Sequence, residues 1–337
     1  MFRFAIVTVF ALEFAAGGFI SAEEPPAWAY GTQSAAASAS HAPGEATAAA
    51  RGGRPPQASP DNSLKRLPGS AFTFTSAQIS DHFGPADWYP NDHPQMPEVV
   101  AHGRKPAVWA CSLCHYPNGK GRPENAGISG LPAPYFIEQM NEFREGFRKS
   151  ADPHKTNTNL MSAIAKAMTD EEIKAAASYF SSMKWTPWIK VVETESVPKT
   201  RISVGMFLPL DNGEKEPLGQ RIIEMPEQPE ATEALRDPRS GFIAYAPLGS
   251  IKKGEQLVAT GNGKTTACGI CHGADLQGLG PVPGIAGRSP SYLVRQMYDM
   301  QQGKRQGPWT ELMKSVVSGL SQEDLLNIAA YTSSRTP

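Results

Sequence analysis

Cys111-Ser-Leu-Cys114-His115 and Cys268-Gly-Ile-Cys271-His272 together use all four cysteines of this 337-residue chain. Each stretch places two thiols three residues apart and follows them at once with an imidazole. Two thiols so spaced can each add across one vinyl group of the same porphyrin while the histidine turns onto the iron, so the stretches read as c-type haem attachment sites. On this reading Cys111, Cys114, Cys268 and Cys271 hold two covalently bound haem c groups, and His115 and His272 ligate the irons. The plainer readings are a dithiol redox pair, a structural disulfide or half of a zinc site. A histidine directly after both pairs, with no third pair of cysteines, favours haem.

Working outward, an offset of 157 residues superposes the two stretches, and 12 of 38 positions from Cys111–Arg148 match Cys268–Arg305. The identities include Tyr135/Tyr292, Gln139/Gln296, Met140/Met297 and Arg148/Arg305. A match at fixed offset over this length indicates two copies of one unit rather than one unit with two sites. Beyond Arg148 the first copy carries five extra residues, and the register returns at Leu160-Met161 against Leu312-Met313.

Met161 and Met313 each precede a helix-start signal, Thr169-Asp-Glu-Glu172 and Ser321-Gln-Glu-Asp324, in which a hydroxyl caps the helix and an acid follows three residues on. A methionine in the loop before the last helix is placed to reach the second axial position of the iron, and Met161 and Met313 are the expected ligands. Met168 is the rival in the first copy; its counterpart is Leu320, which cannot bind iron. Met140 and Met297 also align, but fall on the apolar face of a periodic helix and read as packing. The second ring nitrogen of each histidine is expected to donate to a carbonyl of the following loop, with Pro283 and its neighbours as candidates in the second copy.

Arg3, an apolar stretch from Phe4 to Ile20 and Ser21-Ala22 before two acids read as an export signal cleaved after Ala22. The other reading is an uncleaved anchor, which Glu13 and the shortness of the stretch weigh against. Gly31 to about Ser63 is mostly Ala, Ser, Pro and Gly, with too little apolar surface to offset its ordering entropy. Between the copies, 191–246 carries six prolines, short alternating pieces and a net charge of −4, against +3 over 247–337. The whole chain is near balance, 32 Lys and Arg against 33 Asp and Glu, and no nucleic-acid partner is expected.

Those residues resemble the two-domain dihaem cytochromes c of bacteria, the cytochrome c-four group and its relatives. The likeness spans roughly 95–185 and 249–335, and rests on the CxxCH motifs, the Gly/Ile loop, the Tyr-x-x-x-Gln-Met helix, the downstream Met and the closing Ala-x-Tyr helix. It implies a mainly α protein of two tandem cytochrome c domains joined by a long Pro-rich, partly extended connector. The expected division is a signal peptide over 1–22, a disordered spacer over 23–70, domains over 71–190 and 249–337, and the connector over 191–248.

The implied function is a periplasmic carrier passing electrons between respiratory partners through two His/Met-ligated haems. Those partners would be a respiratory donor and a terminal oxidase or dehydrogenase, with any membrane association made through a partner or an uncleaved N-terminus. A cytochrome subunit of a dehydrogenase complex and a dihaem peroxidase-type enzyme are the competing readings. Two aligned methionines would leave neither iron an open position, so no catalytic residues are expected.

Overall fold

A computed structural model describes residues 24–32 and 62–337. The expected export signal and residues 33–61 of the expected spacer lie outside the described residues. The first described element corrects the spacer reading. Helix α1 (Ala27–Tyr30) is a single turn closed by Gly31, with Trp28, Ala29 and Tyr30 buried. The Tyr30 hydroxyl donates to Asp299 at 2.7 Å, and Thr32 Oγ1 donates to Asp152 at 3.2 Å. Two aromatic side chains supply the burial that offsets ordering entropy here, and they are what an average over the Ala/Pro-rich region hides.

Residues 62–70, also assigned to the spacer, belong to a small core of Leu67, Ile79, Trp88 and Tyr89. Trp88 Nε1 donates to the Leu235 carbonyl at 2.7 Å, and Arg239 pairs with Asp92 at 2.7 Å. The buried His93 side chain lies 3.2 Å from Asp87, with the Tyr179 hydroxyl 3.0 Å from its other ring nitrogen. Burial alone would lower its pKa, but hydrogen bonds to Asp87 and the Pro94 carbonyl outweigh it and the net shift is upward. A raised folded-state pKa contributes stability that is complete below the unfolded value and is lost as pH rises through the folded one. His93→Gln is therefore expected to cost most at about pH 5.5 and least at about pH 8.5. Urea titrations of both proteins at the two pH values check this, and a pH-independent gap would remove His93 as the titrating group.

The first helical unit comprises α2 (Cys111–His115), α3 (Ala133–Glu145), α4 (Thr156–Ala167) and α5 (Asp170–Ser181). Proline in the first turn starts α3, and Gly146 in the left-handed region ends it. The capping box expected at Thr169 and Glu172 starts α5. Phe136, Met140, Ile164, Met168, Ile173, Ala176 and Phe180 form the core.

Strands occupy the next segment: β1 (Ile189–Glu193), β2 (Ser196–Pro198), β3 (Thr200–Ser203), β4 (Met206–Pro209), β5 (Lys215–Pro217), β6 (Ile223–Pro226) and β7 (Phe242–Ala246). β7 is central to a three-stranded sheet, parallel to β1 and antiparallel to β6, while β2 pairs with β5 and β3 with β4. Phe242, Met206 and Leu208 pack on Tyr116 of the first unit, whereas Ile223, Met225 and Ala244 join the core of the second. The architecture is thus mixed rather than mainly α. The prolines break helices here, and β-branched and aromatic side chains between them suit half-buried strands.

The second unit comprises α6 (Ser250–Thr260), α7 (Gly269–His272), the short pair β8 (Gly278–Leu279) and β9 (Val282–Pro283), α8 (Pro290–Gln301), α9 (Pro308–Val317) and α10 (Gln322–Ser334). Ser321 and Asp324 form the expected capping box of α10. A Cβ at Gly254 would overlap the Asn327 carbonyl, so the close crossing of α6 and α10 requires glycine. In the first unit a single turn, Glu98–Ala101, with Val99 and Val100 buried, packs on α5 instead.

Candidate haem centres

In the first unit α2 brings Cys111, Cys114 and His115 onto one turn, beside a cavity of about 1200 Å³ counting its open mouth. His115 Nδ1 lies 2.8 Å from the Ala126 carbonyl, which leaves Nε2 for a metal. Burial holds the imidazole below its ordinary pKa, in the neutral form that ligates. Ile128, Leu131, Phe136, Phe143, Ile164 and Phe180 supply apolar walls. Three methionines line the same cavity: Met140 from α3, Met161 from α4 and Met168 just beyond α4.

The donors and the walls fit a haem. Two thiols and a neutral imidazole share an apolar-walled cavity with three cations, Arg148, Lys155 and Arg295, and two acids, Glu124 and Asp299. Those three cations are the residues to meet the carboxylates of a bound haem. Burial pushes the Lys155 ammonium down to about 7, a cost that a carboxylate partner would remove.

The second unit repeats the anchor. His272 Nδ1 lies 2.8 Å from the Pro283 carbonyl, and Pro283 is the 157-residue counterpart of Ala126. Cys268 is part-buried and Cys271 exposed, and neither pair of cysteines is joined as a disulfide. Cys268, Ile285, Leu293, Met297 and Met313 all pack against the core of the second unit.

The methionines need one correction. Met161 lies in the middle of α4 and Met313 in the middle of α9, both part-buried, rather than in loops before the last helix. Each lies within an amphipathic helix of 12 or 10 residues, and the capping boxes start the helix that follows. Neither His82 nor His154 lines the first cavity: His82 stacks on Trp109 with ring centroids 3.8 Å apart, and His154 pairs with Asp152. Trp109 lines the first cavity, whereas Trp309 is 46% exposed.

Between the units lies a seam that repeats itself about a pseudo-twofold axis. Arg148 donates to Gln139 at 2.8 Å, to Gln296 at 2.8 Å and to the Tyr292 hydroxyl at 3.0 Å. Its counterpart Arg305 donates to Gln296 at 3.0 Å, to Gln139 at 2.7 Å and to the Tyr135 hydroxyl at 2.9 Å. Through this seam Tyr292, Arg295 and Gln296 of the second unit become part of the first cavity. The identity of these residues across the repeat was visible in the sequence; their meeting one another was not.

Two anchored CxxCH turns on paired helical units define a c-type cytochrome. The family description "Cytochrome c" matches residues 100–184. Cytochrome c-554(548) of Halomonas halodenitrificans is 42% identical over 78 residues, which cover 23% of this chain and 94% of that one. The thiosulfate dehydrogenase electron acceptor of Stutzerimonas stutzeri is 24% identical over 233 residues, 68% of this chain and 80% of that one. The crystal structure of reduced recombinant cytochrome c4 from Pseudomonas stutzeri has a TM-score of 0.43 at 18% identity, covering 67% of this chain and 93% of that one. The chain belongs to the cytochrome c family and binds haem c covalently.

Proposed function

We propose that the chain is a dihaem electron carrier, with domains over 71–190 and 249–337 each holding one haem c through its CxxCH motif. Cys111 and Cys114 would fix one group and Cys268 and Cys271 the other; His115 and His272 would ligate the irons, with Met161 and Met313 as the second protein donors. The seam supports this reading: it joins the two attachment units, and side chains of both halves line the first cavity. Such an arrangement suits passage of electrons between centres rather than turnover of a substrate.

When bound, the iron supplies one-electron redox chemistry. The carbonyls of Ala126 and Pro283 hold each imidazole in plane and raise its donor strength. The thioether donors favour the ferrous state, and apolar walls penalise the extra charge of the ferric state, so both push the potentials up. The partners are redox proteins. A relative named as an electron acceptor of thiosulfate dehydrogenase supports a dehydrogenase as donor, and the reading is completed by an oxidase as acceptor and a periplasmic location. No helix among the described residues is long and apolar enough to cross a membrane.

Intact mass of the purified protein is expected to exceed the processed polypeptide by two haem masses. A gain of one would overturn the two-site reading. Reduced protein should be reoxidised without appreciable peroxide turnover, and peroxide turnover at enzyme-like rates would replace the carrier with the peroxidase reading.

A further inference from the structure

The two attachment motifs are alike in sequence and opposite in exposure. Leu113 is 6% exposed and its 157-residue counterpart Ile270 is 68% exposed. Arg122 is 9% exposed and its counterpart Leu279 is 61% exposed. Cys114 is part-buried, whereas Cys271 is exposed.

The cover over the first motif comes from 185–246. Arg236 donates to the Leu113 carbonyl and lies 5.9 Å from the Tyr116 ring. Asn118 donates to the Pro238 carbonyl at 2.8 Å, and Trp188 Nε1 to the Gly121 carbonyl at 3.1 Å. Met206, Leu208 and Phe242 close over Tyr116. No described segment does the same for the second motif: Ile270, Cys271, Ala274, Gln277, Leu279 and Pro281 all face solvent.

That open surface is also poor in charge. Among the exposed residues of 262–281 only Lys264 and Asp275 are charged, and Lys264 is bonded to Asp324 at 2.9 Å. Trp309 at 46% and Leu312 at 64% exposure add apolar area on α9, the helix of Met313. Large apolar side chains left in solvent around a functional edge mark a contact surface, and a nearly neutral one matches a partner whose own face is nearly neutral.

We propose that electrons enter and leave this protein only at the second motif, around Ile270, Cys271 and Leu279, where a redox protein docks through an apolar, weakly charged face. On this proposal the first centre, whose attachment turn is covered by 185–246, exchanges electrons only with the second. Each encounter moves one electron, the donor being oxidised and the second iron reduced, and the same edge serves the reverse step to an acceptor. The inference rests on the carrier reading but fails separately from it.

Two measurements on the holoprotein test it. In the first, a neutral gadolinium chelate is titrated against the haem methyl resonances. Only the set belonging to the second haem should broaden, and equal broadening of both sets would overturn the proposal whatever the redox activity. In the second, oxidation by hexacyanoferrate(III) is followed at low ionic strength in Ile270→Glu/Leu279→Glu. Both haems should be slowed together, by roughly three- to tenfold, because added negative charge at the port repels the anion. Lys105→Glu, an exposed site in the first unit with the same total charge change of −2, should leave the rate within about twofold. If the Glu pair slows only one haem's share of the signal, or if Lys105→Glu slows as much as the pair, the first centre has its own access. Ile270 and Leu279 are exposed, so unchanged visible spectra will show that the fold is intact.

Discussion

Met161→Ala is expected to abolish the Met-to-iron absorption band of one haem and to lower that haem's potential, and Met313→Ala to do the same to the other. The change should be large, because axial ligands span about 0.8 V across haem proteins. Loss of the thioether removes the donor that favours ferrous iron and opens a position to water. Both methionines lie mid-helix, at corresponding positions of α4 and α9.

Met168 also lines the first cavity, but its setting is structural. It is 5% exposed, its carbonyl accepts from Arg144 at 3.1 Å, and it ends α4 in extended conformation. Its counterpart Leu320 is 7% exposed and likewise accepts, at 2.8 Å, from Gln301, the counterpart of Arg144. The shared role of the pair is to finish a helix and fill a core, which leucine does as well as methionine. Near-infrared spectra and a redox titration of the three variants decide the matter. Loss of the band in Met168→Ala but not in Met161→Ala would reverse the assignment.

Replacing Arg305 by Met is expected to destabilise the holoprotein by about 3–5 kcal/mol, the cost typical of removing one member of a buried charged network. The volume is nearly kept, so the loss is of bonds rather than of packing. Gln139, Gln296 and Tyr135 would each lose a charged donor inside the protein. Glu142, already raised in pKa by burial, would lose the neighbouring guanidinium that opposes that rise. Arg148→Met should cost a similar amount through Gln139, Gln296 and Tyr292. Because the two arginines share both glutamines, the double variant should cost less than the sum of the singles. Urea unfolding of the four proteins measures this, and additive effects of less than about 1 kcal/mol each would show the seam to be incidental.

The sequence by itself determined the parts whose information is local. Two thiols and an imidazole within five residues prescribe an attachment turn, and the repeat around them prescribes two. A hydroxyl with an acid three residues later placed the starts of α5 and α10. A carbonyl of the following loop was expected to hold each imidazole, with Pro283 and its neighbours as candidates in the second copy, and Ala126 and Pro283, each 11 residues on, do so.

Only the tertiary structure decided what depends on residues far apart in the chain. The cover over Leu113 comes from Arg236, 123 residues away, and Tyr30 reaches Asp299 across 269. Neither contact leaves a periodicity or a motif, because a single side chain meeting one distant acceptor needs no repeating pattern. Composition misled for the same reason: Trp28 and Tyr30 vanish in an average over alanine and proline, yet burying two aromatic rings is enough to order a short segment. The asymmetry between two nearly identical motifs is of this kind as well. Residues from 185–246 fold back over the first motif, while the second is left facing solvent among the described residues.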